Sequence, residues 1–173
     1  SARTSASCAS NSETSDARPA KTYPCGDAAA CHAAGKKAKD EKDMPKAREL
    51  LQAACDQGSG AGCNVLAGMV KELDQDKPKA VEIWKKACDL GEMDACFNAA
   101  EVVRHDDPKD ATALYAKACK GAADDRMLAQ LACGRGGIHA YTSGDPGTAA
   151  DLALASCNED QVAGCNLLGV LHL

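Results

Sequence analysis

Ten of the eleven cysteines in this 173-residue chain fall into local pairs that recur along the sequence. Cys55/Cys63, Cys88/Cys96 and Cys157/Cys165 each read Cys-x7-Cys, while Cys25/Cys31 has five residues between its members and Cys119/Cys133 has thirteen. Zinc and iron-sulfur sites use short Cys-x2-Cys clips, because one turn must aim two thiolates at one ion. No such clip occurs. The ladder therefore reads as disulfides in an oxidising compartment, with metal-held thiolates as the alternative.

The pairs are part of a longer period. Cys55 to Cys88 and Cys63 to Cys96 are both 33 residues, and Cys31 to Cys63 and Cys133 to Cys165 are both 32. Ala47 to Gly58 aligns with Ala80 to Gly91, and less strictly with Ala111 to Gly121 and Ala149 to Cys157. Within a copy, Cys63, Leu66, Ala67 and Val70 share one helical face. A polar loop such as Asp74 to Lys77 follows, and Pro78 or Pro108 then stands where a helix starts without needing its N–H. Ala80, Ile83, Trp84, Ala87 and Cys88 form the stripe of the next helix, which Gly91 closes with a left-handed cap. Each unit is a helical hairpin, and each cysteine pair brackets a corner between helices. Closing so short a loop stabilises the fold by about 2–3 kcal/mol per bond.

Such staples suit the composition. Hydrophobic residues make up 45% but aromatics only 3%, so the core must come from closely packed Ala, Leu, Val and Cys, which bury little area per residue. The net charge of −5 argues against nucleic acid as a partner. No apolar run approaches the ~20 residues that span a bilayer.

The Ala-x3-Trp-x2-Ala-Cys-x2-Gly-x4-Cys run of Ala80 to Cys96, with its counterpart Ala47 to Cys63, resembles the Sel-one-like repeat. The closer resemblance is to its disulfide-bearing branch, the Helicobacter cysteine-rich proteins, and it covers most of the chain after Ala28. It implies an all-α fold, a right-handed α/α superhelical solenoid of helix hairpins, an extracytoplasmic address and a role in protein binding. It also implies two alternatives, a β-lactam-binding or hydrolysing enzyme and, through a distant mitochondrial branch of the intermembrane space, a haem or metal carrier.

Two departures qualify the pattern. Met127 stands where Cys-x7-Cys would place a partner for Cys119, and Cys133 lies further on. Either the helix holding Cys133 is longer, with Gly134 to Gly137 as an interruption, or Cys133 pairs with Cys8. At the end, Val170, Leu171 and Leu173 make an apolar surface suited to contact. The segment Ser1 to Pro24 is rich in Ser, Thr and Ala, without apolar period, and reads as a tail or linker on a processed chain. Cys8 within it is expected as a lipidation site, an intermolecularly paired thiol or a free thiol in a disordered segment.

Other constellations have plainer readings. Cys31-His32 resembles the end of a c-type haem attachment site, but five residues separate the cysteines where two are needed; a structural disulfide beside an exposed His is simpler. His105 before Asp106 and Asp107 fits a solvated loop with an N-cap Asp. His139 and His172 are isolated. No nucleophile motif, metal motif or phosphate-cradling loop is present, so no catalytic residue, metal or cofactor is assigned.

Residues 1–24 are thus expected as a tail and 25–173 as a solenoid of about four and a half units. Helices are expected near Asp27–Lys39, Pro45–Gln57, Ala61–Leu73, Pro78–Leu90, Met93–His105, Pro108–Lys120, Asp124–Tyr141, Pro146–Cys157 and Gln161–His172. The first helix of each unit should line an inner face, where Asn64, Met69, Lys71, Asn98, Glu101, Arg104 and Asn166 are the candidate contacts for a protein partner. The expected role is a scaffold or adaptor of a membrane-associated assembly, in the periplasm, at an outer surface or secreted.

Overall fold

A computed structural model describes residues 23–122, 124–158 and 162–171. Among these residues the chain is all-α: α1 (Ala28–Asp40), α2 (Met44–Asp56), α3 (Gly60–Met69), α4 (Lys77–Asp89), α5 (Met93–Val103), α6 (Pro108–Gly121), α7 (Arg126–Thr142), α8 (Pro146–Asn158) and α9 (Val162–Leu171). Each helix packs on the next in sequence order, with lighter contact between alternate helices. No described helix is long and apolar enough to cross a membrane. Residues 1–22 of the expected tail, with Cys8, lie outside the described residues, as do His172 and Leu173.

Local chemistry accounts for the boundaries. Asp27, Asp43, Ser59, Asp76, Asp107 and Asp125 each cap a helix by accepting from the backbone N–H three residues on, and Asp145 does the same for Thr148. Such caps satisfy N–H groups that have no partner within the helix. Proline in the first turn adds a second start signal in α2, α4 and α6. Gly58 and Gly91 turn the chain after α2 and α4 at φ of +88° and +92°, where a β-carbon would be strained. α3 departs from its expected end: it widens into a single π turn, Val70–Asp74, before Gln75 adopts a left-handed conformation.

All five pairs are disulfide-bonded, Cys25–Cys31, Cys55–Cys63, Cys88–Cys96, Cys119–Cys133 and Cys157–Cys165. The Cα atoms of Cys55 and Cys63 are 4.6 Å apart, so α2 and α3 nearly touch at their corner. Small neighbours make this approach feasible: a β-carbon on Gly62 would come 2.7 Å from that of Ala54.

Cys119 pairs with Cys133, so Cys8 is not the partner, and the glycine run does not interrupt the helix. α7 runs unbroken for 17 residues, and Met127 in its first turn is 79% exposed. Gly136 lets α6 approach: a β-carbon there would lie 2.7 Å from Tyr115 Cβ.

The core runs from Ala38 in α1 to Leu152 in α8, built around Leu51, Trp84 and Tyr115 with alanine and cysteine between them. Removing Leu51 fully from water contributes about 1.5–3 kcal/mol. Along the even-numbered helices, Lys85–Asp110 and Lys117–Asp89 are ion pairs of 2.7 Å joining α4 to α6. The odd-numbered helices carry a different surface.

Candidate functional site

Leu51, Trp84 and Tyr115 occupy equivalent positions, four residues after Ala47, Ala80 and Ala111 in α2, α4 and α6. All three are buried. A buried aromatic side chain with a polar end needs a hydrogen-bond partner, and both polar ends find one on the preceding odd-numbered helix. Trp84 Nε1 donates to Asn64 Oδ1 on α3 at 2.9 Å, and Tyr115 Oη donates to Glu101 Oε1 on α5 at 2.5 Å. Two polar clusters result, side by side on the odd-numbered helices.

In the first cluster Asn64 Oδ1 also accepts from Asn98 Nδ2 at 3.2 Å, across a separation of 34 residues. The Lys71 ammonium lies 5.9 Å from the Trp84 ring centre. These side chains, with Lys39, Gly68, Glu72 and Glu101, line a groove of 290 Å³. Asn64 Oδ1 accepts both bonds, and each side-chain amide carries two N–H donors and a carbonyl acceptor, so the pair has more hydrogen-bonding capacity than these two bonds use.

Glu101 organises the second cluster. Its Oε2 accepts from Arg104 at 3.3 Å and from Arg135 of α7 at 2.8 Å. Burial works against the charge of Glu101, but hydrogen bonds from Tyr115 and Arg135 and the charges of both arginines outweigh it and hold the carboxyl below its ordinary range. Burial, reinforced by Glu101, pushes the Tyr115 phenol well above its usual value. Arg104 Nε donates to His105 Nε2 at 3.2 Å. The Arg135 guanidinium lies 5.7 Å from the Phe97 ring centre, and Tyr115 sits between Phe97 and His139, each 5.8 Å away. A 250 Å³ pocket opens among Arg104, His105, Tyr115, Arg135, Ile138 and His139.

The structure thus brings together five of the expected contact residues, Asn64, Lys71, Asn98, Glu101 and Arg104. Met69 requires correction: it is 2% exposed, because it follows Leu66 by three residues and shares its packed face, so it is core and not contact surface. Asn166 is exposed on α9 but joins neither cluster. Asn64 and Glu101 also serve the fold, since each satisfies a buried aromatic. His105 lies in an exposed loop with Asp107 capping α6, as the sequence suggests. His139, in contrast, is not isolated: its Nε2 donates to the Pro108 carbonyl at 3.2 Å.

Sequence reasoning missed Arg135, Tyr115 and the exposed face of α7. Among the described residues, Met127, Leu131, Ile138 and Tyr141 are four of the eight large exposed apolar side chains, and all lie on one side of α7 next to Arg135. The recurrence of Trp and Tyr at one repeat position was the available signal for the two clusters. A larger cleft of 840 Å³ lies between α6 and α8. Among its acidic residues, Asp107 and Asp145 are committed to helix caps. Among the described residues no group of three or more His, Cys, Asp or Glu is placed to hold a metal ion.

No protein-family profile matches this sequence, and no curated protein is similar to it at a significant level.

Proposed function

We propose that the chain is a non-catalytic, extracytoplasmic binding scaffold of the Sel-one-like repeat type, serving as an accessory subunit of a membrane-associated assembly. In this reading the helix pairs coil as a right-handed superhelix whose odd-numbered helices receive a protein partner. The observation that carries it is the surface of α7, where four large apolar side chains are exposed in one stripe beside Arg135. Contiguous apolar surface rimmed by fixed polar groups is what protein interfaces present before they close. The two clusters add rigidity, because Asn64, Asn98 and Glu101 are held by hydrogen bonds before any partner arrives, which reduces the ordering cost of association. Five disulfides support an oxidising address.

The test is co-purification of the intact chain from native membrane and soluble fractions, compared with a Lys71→Ala/Arg104→Ala/Met127→Ser/Ile138→Ser variant. These side chains are exposed or half-buried, so the variant should keep its unfolding midpoint and lose a stoichiometric partner at least tenfold. Equal recovery with both chains would refute the reading. Asn64 and Glu101 are kept out of this set because their replacement would also loosen the fold.

A further inference from the structure

The cleft between α6 and α8 opens where the ion pairs that tie α4 to α6 have no equivalent. Counted from the aligned alanines, Lys85 and Asp89 stand five and nine residues after Ala80, while Asp110 and Lys117 stand one before and six after Ala111. Lys85–Asp110 and Lys117–Asp89 bridge that crossing, and the space beside them is 240 Å³. One repeat on, the same positions hold Ala116 and Lys120 on α6 and Thr148 and Ala155 on α8. Ala116/Thr148 has no charged member and Lys120/Ala155 only one, so neither can bridge. The cleft widens to 840 Å³, within the range of small-molecule sites, about 300–1,000 Å³.

Its charges are spread and its wall between them is apolar. Asp106, Asp107, Asp145 and Asp151 line it together with Lys109 and Lys120, which leaves two negative charges uncompensated. Asp107 and Asp145 accept the backbone N–H groups of Asp110 and Thr148, so the starts of α6 and α8 are already satisfied and do not call for an anion. Both carboxylates keep their charge, and hydrogen bonds from Thr148 hold Asp145 below its ordinary range. Ala113, Ala116 and Leu152 supply the apolar wall. No three of these carboxylates are placed to hold one metal ion; Asp151 lies six residues beyond Asp145 on α8, about 9 Å along the axis. Separated carboxylates call for a cation whose charges are separated too.

We infer that this cleft binds an aliphatic diammonium ion of the polyamine class, with one ammonium beside Asp151, the other beside Asp106 and Asp145, and the methylene chain along Ala113 and Ala116. A dication matches the two uncompensated charges. An extended chain advances about 1.2 Å per bond, so the seven bonds between the nitrogens of 1,6-diaminohexane cover about 8–9 Å, close to the axial spacing of Asp145 and Asp151. Burial of the methylenes adds a hydrophobic contribution that a hydrated metal cation lacks. Nothing in this site depends on the α7 surface, so it stands or falls apart from the scaffold reading.

The experiment is a titration of the oxidised full chain, by calorimetry and NMR, with 1,6-diaminohexane, hexylamine, 6-aminohexanoate and Mg²⁺. The diamine is expected to shift the backbone amide signals of Ala113, Ala116 and Leu152 and to bind at least fivefold tighter than each of the other three. Asp106→Asn and Asp151→Asn remove exposed carboxylates that cap no helix, so each should keep the urea midpoint and weaken the diamine at least threefold. Ala116→Lys/Thr148→Asp rebuilds the Lys85–Asp110 bridge one repeat on without changing the net charge, and should weaken the diamine at least tenfold by closing the cleft. Absence of shifts at the cleft, or hexylamine or 6-aminohexanoate binding as tightly as the diamine, overturns the inference, because the second ammonium would then contribute nothing. Equal binding of Mg²⁺ overturns it as well, since charge without an apolar body would suffice. Undiminished diamine binding by both asparagine variants, or by the rebuilt bridge, shows attraction to the surface without entry into the cleft and has the same consequence.

Discussion

The bond between Tyr115 and Glu101 is the interaction whose removal tests the site most directly. Tyr115 is 1% exposed, so when Glu101 is replaced by alanine the phenol loses its acceptor without gaining water. A hydrogen bond to a charged group contributes about 1.5–3 kcal/mol. The two arginine pairs, exposed to roughly half, add at most about 1 kcal/mol each. Glu101→Ala should therefore cost about 2–4 kcal/mol, and Tyr115→Phe about 1.5–3 kcal/mol. Because both substitutions remove the same bond, the double variant should fall short of their sum by about 1.5–3 kcal/mol. The assay is urea unfolding of the oxidised chain, followed by Trp84 fluorescence and far-ultraviolet circular dichroism.

The pH dependence has a definite sign. Glu101 is held below its ordinary value of 4.5 in the folded state, so its contribution is complete above that value and is lost as pH falls through it towards the depressed native one. Protonation replaces a charge-assisted bond by a neutral one of about half the strength, and the coupling energy should fall accordingly once the pH is taken below that depressed native value. Coupling below about 0.5 kcal/mol at neutral pH, or coupling of unchanged size in acid, would refute the assignment of Glu101 as the organising charge.

Further outcomes follow from the same geometry. Gly62→Ala should destabilise by about 1–3 kcal/mol through overpacking against Ala54, whereas Gly68→Ala meets nothing within 4 Å and should stabilise by up to about 1 kcal/mol; equal urea midpoints for the two would contradict the close approach of α2 and α3. Glu92 begins α5 without a side-chain cap bond, so Glu92→Ser should add about 0.5–1 kcal/mol in calorimetry. Burial, and then Asp94, raise the Glu92 pKa, so the wild-type chain gains stability as pH falls through that raised value and Glu92→Ser lacks this gain; parallel pH profiles would contradict it. Removing Cys119–Cys133 as an alanine pair should cost about 3 kcal/mol and removing Cys88–Cys96 about 2.5 kcal/mol from loop closure; a thiol assay in denaturant should find no more than one free thiol among the eleven cysteines.

The helices were legible because their causes are local. Capping Asp or Ser, first-turn proline and left-handed glycine act within a few residues, and the expected and observed boundaries agree to within a few residues except at the π turn after α3. The cysteine pairing was legible for the same reason: a separation of eight residues across one corner leaves few other partners. Asn64, Asn98, Glu101 and Arg104 were reachable because the period assigns them to one row of helices.

What only the tertiary structure decided depends on contacts between units. Arg135 of α7 reaches Glu101 of α5 across 34 residues, the same separation as Asn98 to Asn64 between α5 and α3, but the sequence does not say that an ion pair with a shared tyrosine forms at one crossing and an amide pair under a tryptophan at the other. Met69 was expected on the inner face, and the packing places it in the core with Leu66. The repeat therefore determined which segments become helices and which cysteines meet, since those depend on separations of a few residues; the convergence of Tyr115, Arg104 and Arg135 on one carboxylate depends on how close neighbouring helices pack, which the small residues at their crossings permit but do not position.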